Sequence, residues 1–325
     1  MAARDLRPLG RARRGGRDPV PAPPSRRRLR RRRLPLAGGG RGGRPAARLR
    51  DPRRAVGRAR VIVDAHHHFW DPAVASYPWM TDEVAPIRRR FGPDDLVPHL
   101  EACGVDATIV VQARMELAET WELLEIAEAT SFVRGVVGWV DLTAEDPLRG
   151  LAHPKLVGIR HQAHDEPDPR WLARPAVLRG IRAVGEAGLP YDLLVRTGEL
   201  PAALEAARAL PEVRFVVDHL AKPPIRTANT TAWAEALAPL SELPNVFCKL
   251  SGLVTEANPG DDLAPFIRRG IEWFGAERCL FGSDWPVCLL AASYEDVFAT
   301  IRDATREDER DAVFGETAAR VYALT

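Results

Sequence analysis

Two histidines one residue apart, His66 and His68, end an apolar run that begins at Val61. Side chains alternate across an extended strand, so these two share a face and bring two imidazoles to one spot. Such a pair can hold a divalent ion or give two hydrogen bonds to one oxygen. Another apolar run ends in Ser283-Asp284-Trp285 and a third in Asp218-His219. A carboxylate among imidazoles, as Asp284 would be, can take a proton from water if it stays ionised. His66, His68 and His219 could polarise a carbonyl oxygen directly or through a metal. Arg160, Arg196 and Lys222 could fix an anionic or polyhydroxylated substrate, and Trp70, Trp79 and Trp285 offer flat faces of the kind that sugar rings stack on. No Gly-x-Ser-x-Gly nucleophile turn occurs in the sequence, so water is the expected nucleophile.

These residues need a scaffold that gathers distant strand ends. From residue 61 onward, apolar runs alternate with amphipathic stretches. Strands are expected at 60–65, 107–112, 134–140, 156–161, 191–196, 213–218, 245–250 and 278–283. Helices are expected near 94–103, 117–130, 146–152, 175–188, 199–210, 231–242, 262–274, 291–304 and 306–323. Runs such as Thr108-Ile-Val-Val111 and Phe215-Val-Val217 are apolar throughout, as parallel strands covered on both faces require. Eight such units in about 265 residues match a (β/α)8 TIM barrel, whose usual size is about 250. A doubly wound open sheet is the alternative, but two histidines stand where its glycine-rich phosphate loop would follow the first strand. A barrel gathers functional groups at the C-terminal strand ends. There the chain has His66 and His68; Gln112 and Arg114; Trp139 and Asp141; Arg160 and His161; Arg196; Asp218, His219 and Lys222; Lys249 and Ser251; and Ser283 to Trp285. His99 and His153 fall in helical stretches and read as structural.

Charge divides the chain in two. Of 46 basic and 44 acidic residues, residues 1–60 hold 21 arginines and 3 aspartates, a net of +18, which leaves −16 for residues 61–325. The leader is rich in Gly, Pro and Ala and poor in aromatic and β-branched residues, so disorder is expected. Three readings of it compete: an arm for nucleic acid or another anionic surface, a targeting peptide, or upstream DNA translated from a start codon placed too early. The last is favoured, because Arg/Gly/Pro/Ala bias is what GC-rich DNA yields and transit peptides are richer in Ser than a segment holding Ser25 alone. Runs like Arg30-Arg-Arg-Arg33 bind phosphate in almost any context, whereas the acidic remainder should repel nucleic acid. Nothing approaches the ~20 apolar residues of a membrane span. Cys103, Cys248, Cys279 and Cys288 are scattered, as reduced thiols of a cytoplasmic protein would be.

The elements Asp64-Ala-His-His-His68-Phe-Trp-Asp71-Pro72, Gly158-Ile-Arg-His161, His164-Asp-Glu-Pro-Asp168, Asp218-His219-Leu-Ala-Lys222-Pro223, Lys249-Leu-Ser-Gly252-Leu and Phe281-Gly-Ser-Asp284-Trp-Pro286 jointly resemble the amidohydrolase-2 family. The likeness runs from about residue 61 to the end and is strongest to the branch of L-fuconolactonase, L-rhamnonolactonase and 2-pyrone-4,6-dicarboxylate lactonase. It implies a distorted TIM barrel over residues 61–325 that opens a sugar lactone. Asp284 would activate water, and His66, His68 and His219 would hold the lactone carbonyl. Trp70, Gln112, Arg160, His161, Arg196, Lys222 and Trp285 would bind the substrate. The cofactor expectation is either none or one zinc-like divalent ion on His66, His68 and Asp284. A binuclear site is not expected, because strand 5 lacks a histidine and Lys155 lies at the wrong end of strand 4. The expected partner is a small-molecule lactone, with no membrane and no nucleic acid; self-assembly into a homo-oligomer is compatible. The alternatives are a pyrone lactonase reading two carboxylates through Arg114, Arg160 and Arg196, a metal-dependent decarboxylase, and a degenerate barrel whose basic arm binds nucleic acid.

Overall fold

A computed structural model describes residues 61–324; the expectations for residues 1–60 lie outside the described residues. The apolar runs form eight strands: β1 Val63–His67, β2 Ala107–Val111, β3 Val133–Gly138, β4 Leu156–His161, β5 Tyr191–Leu193, β6 Phe215–Val217, β7 Val246–Leu250 and β8 Cys279–Phe281. Neighbours pair in parallel in chain order. The β8–β1 seam closes through Asp284 N–H to His66 O at 2.8 Å and His68 N–H to Trp285 O at 2.7 Å. Ser283 Oγ, donating to Asp64 at 2.6 Å, ties it again. This is the expected (β/α)8 barrel.

Helices cover the outside: α1 Pro93–Cys103, α2 Leu117–Ala129, α3 Pro175–Glu186, α4 Leu200–Ala209, α5 Thr231–Ser241, α6 Ala264–Phe274, α7 Tyr294–Ala304 and the short α8 Thr317–Val321. Their apolar stripes set the packing: Leu96 and Leu100 of α1 and Ile267, Ile271 and Phe274 of α6 are buried against the sheet. Each such side chain removed from water contributes about 1.5–3 kcal/mol.

Two expected helices differ. Residues 146–152 form turns: Pro147, Pro154 and a left-handed Gly150 at φ 74° leave too short a stretch for a helix. The segment 306–323 breaks into a 3-10 turn at Glu307–Glu309, a π turn at Ala312–Glu316 and α8. The break lets α8 turn inward. Ala318, Val321 and Tyr322 join an inner cluster with Ile109, Val137, Val216, Phe247 and Leu280. Arg320 and Thr317 meanwhile bond to the carbonyls of Glu277 and Ala276, just before β8. The C-terminal segment therefore fills the N-terminal end of the barrel, and the opposite end is left for chemistry. No described helix is long and apolar enough to cross a membrane.

Candidate active site

At the C-terminal strand ends His66, His68, His219 and Asp284 converge. His66 and His68 face the same way, as strand alternation required, with Nε2 atoms 3.2 Å apart. Asp284 comes in across the seam, its Oδ1 at 3.7 Å from His66 Nε2, 3.5 Å from His68 Nε2 and 3.9 Å from His219 Nε2. All four are buried. His68 Nδ1 lies 2.7 Å from Val111 O, so that nitrogen carries the ring proton and Nε2 is a bare lone pair. His219 Nδ1 is 2.8 Å from Ser251 Oγ.

The backbone is bent to deliver these groups. His219, Leu220, Ala221 and Lys222 all have φ between 50° and 56°, and Asp284 has φ 58°. Such values cost roughly 1–3 kcal/mol per non-glycine residue and persist only where the surroundings impose them. Trp233 Nε1, donating to Leu220 O at 2.7 Å, pins the first of these turns. Gly252 leaves the room: a Cβ there would stand 2.5 Å from His219 Nδ1 and 3.1 Å from Asp284 Oδ2.

Beneath the four lies a buried ionic layer. Lys249 Nζ stands 2.5 Å from Asp192 Oδ2, 3.0 Å from Asp218 Oδ1 and 3.2 Å from His66 Nδ1. Arg160 Nη1 donates to Asp218 Oδ2 at 2.9 Å, and its Nη2 donates to Gln112 O. Burial strips protons from the imidazoles: His219 falls to about 4, and His66 and His68 drop below the ordinary range. Burial alone would raise Asp284, but the His219, His68 and His66 rings outweigh it and hold the carboxyl below its usual range. At neutral pH the centre is an ionised carboxylate among neutral imidazoles.

This donor set fits one divalent ion. Zinc–nitrogen bonds are about 2.0–2.1 Å, which puts ligand atoms around a tetrahedral ion roughly 3.3 Å apart. The distances here run from 3.2 to 3.9 Å, and His66, His219 and Asp284 place ligand atoms within 4.8 Å of one another.

Residues 63–324 match the amidohydrolase family. The chain belongs to that family. It is 41% identical over 276 residues to an L-fucono-1,5-lactonase of Burkholderia ambifaria, covering 81% of this chain and 95% of that protein. A second protein of that name, from Burkholderia multivorans, is 39% identical over 81% of this chain and 96% of its own length. In structure the chain is similar to an amidohydrolase from Burkholderia multivorans with bound zinc, at a TM-score of 0.77 and 37% identity, over 82% of this chain and all of the other.

Within this amidohydrolase the other expected residues separate. Gln112 and Arg160 lie in the buried layer, where Gln112 Nε2 donates to Arg160 O at 3.3 Å and Gln112 Oε1 lacks a protein partner. Lys222, mostly buried, pairs with Glu256 at 3.1 Å, and the exposed Arg196 meets the same carboxylate at 3.4 Å. His161 is held apart, stacked on Trp171 at 3.9 Å and bonded to Glu166 and Trp139. Two expected sugar platforms do not fit: Trp285 is 1% exposed and walled by Phe91 and Phe69, and Trp70 is 4% exposed and packed on Trp79 and Phe91. Their rings lock the seam and the loop after β1. Arg114 is tied to Glu122 at 2.7 Å and to Glu119. His153 lies in a turn, not a helix, while His99 of α1 bonds Glu295.

Asp192, Asp218, Lys249 and Ser251 were not singled out for the site. Their signal was present: Asp192 and Lys249 interrupt apolar strands, as Tyr191-Asp-Leu and Phe247-Cys-Lys-Leu. A charge inside such a strand must find a partner within the barrel.

Proposed function

We propose that this amidohydrolase hydrolyses a sugar lactone, with L-fucono-1,5-lactone the first substrate to test. The observation that carries the reading is the ionised Asp284 held by three imidazoles at the mouth of the barrel, in a chain about 40% identical to L-fucono-1,5-lactonases. Asp284 takes a proton from water, and the oxygen so released attacks the lactone carbonyl. His66, His68 and His219 surround the position where negative charge gathers on the carbonyl oxygen. The ring carbon–oxygen bond then breaks, the leaving oxygen takes up the proton, and an open hydroxy acid departs. Where a divalent ion is bound, His66, His68, His219 and Asp284 would hold it, and it would polarise the carbonyl and acidify water. Lys222 and Glu256 at the rim, with Gln112, meet the sugar hydroxyls.

Such an activity places the protein in the breakdown of a deoxysugar or a related sugar acid. Its cysteines are free, which suits a reducing cytoplasm. The test is proton release by residues 61–325 on L-fucono-, L-rhamnono- and D-galactono-lactones and 2-pyrone-4,6-dicarboxylate, with and without a chelator and with spontaneous opening subtracted. Turnover of a sugar lactone supports the reading, and loss of it on chelation assigns the ion a role in turnover. Turnover of the pyrone alone, or of no lactone, overturns it.

A further inference from the structure

We propose that Tyr322 is a positioning residue for His66, acting through Asp192 and Lys249 along a buried chain that crosses the barrel from its closed end to the reacting one. The interior of such a barrel is ordinarily packed with branched apolar side chains. Here the phenol of Tyr322 donates to both Asp192 oxygens, at 2.9 and 2.8 Å. Asp192 meets Lys249 at 2.5 Å, and Lys249 reaches His66 Nδ1 at 3.2 Å. Tyr322 is 2% exposed, and the other three are fully buried. Gly158 admits the phenol: a Cβ there would stand 3.3 Å from the Tyr322 ring.

The chain has a direction set by donors and acceptors. An ammonium has three protons to give and none to take, and Lys249 has three acceptors, on Asp192, Asp218 and His66. Its hydrogen bond to Nδ1 puts the His66 proton on Nε2, facing the bare Nε2 of His68 and the site. Asp192 competes with His66 for Lys249, and the Tyr322 hydroxyl weakens Asp192 as a competitor by occupying its oxygens. Without that hydroxyl, Lys249 is drawn toward Asp192 and the His66 ring loses its donor. Its proton then settles on Nδ1, toward Asp218 Oδ1 at 3.4 Å.

The test compares Tyr322→Phe with Val321→Ala, which trims the same helix in the same inner cluster without touching the chain. The first readout is 15N NMR of the histidine rings, with His66 assigned through His66→Gln; it needs neither substrate nor metal. In Tyr322→Phe the His66 Nδ1 resonance moves toward the protonated range, whereas in Val321→Ala it stays. Asp192→Asn, which frees Lys249 for His66, moves it the other way and serves if Tyr322→Phe does not fold. The second readout rests on the lactonase reading: kcat falls about tenfold in Tyr322→Phe with KM held, the usual cost of removing an outer support of a site histidine. His66 resonances unmoved in Tyr322→Phe and Asp192→Asn, or moved equally in Val321→Ala, overturn the proposal. A parent without lactonase activity overturns only the reading of function, because the ring shifts are still decided.

Discussion

Replacing Asp284 by Asn separates the chemistry from the fold. The residue is 2% exposed and sits at φ 58°, in the left-handed region. Asn has nearly the same shape and is among the few side chains that region tolerates, so the Asp284 N–H to His66 O bond across the seam survives. What disappears is the acceptor for a water proton. A positioned general base contributes about 10²–10⁴ in rate, which is about 3–5.5 kcal/mol of barrier at 1.36 kcal/mol per tenfold. The expected outcome is therefore a kcat for L-fucono-1,5-lactone lower by two to four decades. KM should change little, because an amide at this position still hydrogen-bonds. The assay is proton release in weak buffer with spontaneous opening subtracted, run with and without added zinc, since the same substitution removes a candidate ligand. Thermal melting by circular dichroism accompanies it. A folded Asp284→Asn protein with kcat within about threefold of the parent would refute the role of Asp284 and the carboxylate–imidazole argument with it.

Other consequences are equally direct. Lys249→Met leaves Asp192 and Asp218 buried without their cation, at a cost of about 3–5 kcal/mol, which lowers the melting temperature by about 10 °C in a domain of this size; an unchanged melt would show that the ionic layer holds nothing together. Gly252→Ala puts a methyl 2.5 Å from His219 Nδ1 at φ 63°, so activity should drop more than tenfold with about 1–2 kcal/mol of stability, and wild-type kinetics would mean the turn can move aside. Burial holds His67 down to about 3, so this ring stays neutral in the fold while the unfolded chain takes up a proton below about 6.5. Its stabilising contribution is complete above 6.5 and is lost on acidification, by about 1 kcal/mol between pH 6.5 and 5.5. Urea melts at the two pH values should show His67→Asn losing that much less than the parent, and equal losses would place the proton elsewhere.

The pair His66 and His68 was legible because strand period alone fixes which side chains share a face, and Asp284 because it ends an apolar run. The barrel followed from eight such runs in order. The lower half of the site was not legible in the same way. Tyr322 and Asp192 lie 130 residues apart, and their bond depends on the C-terminal segment breaking at Ala312–Glu316 and turning into the barrel, which apolar periodicity read as one continuous helix. Trp285 shows the opposite error. An aromatic beside a catalytic carboxylate suggests a sugar platform, yet closing the β8–β1 seam requires a large apolar side chain at that corner, and packing takes it. The turn at 146–152 was misread because amphipathic spacing was given more weight than Pro147 and Gly150.

The ionic layer also separates the two lactone chemistries. A pyrone dicarboxylate carries two charges that need unpaired cations. Arg160 is committed to Asp218 at 2.9 Å, Arg114 to Glu122 at 2.7 Å and Arg196 to Glu256 at 3.4 Å. Drawing any of them to a ligand would strand a carboxylate, and for Asp218 that carboxylate is fully buried, a loss of several kcal/mol. Lys249 and Arg160 balance Asp192 and Asp218, so the charge left over at the mouth is that of Asp284 itself, which repels a dianion. A neutral sugar lactone meets neither penalty. It brings hydroxyls that suit the unpartnered Gln112 Oε1, and its charge appears only in the transition state, on the oxygen that the three imidazoles surround.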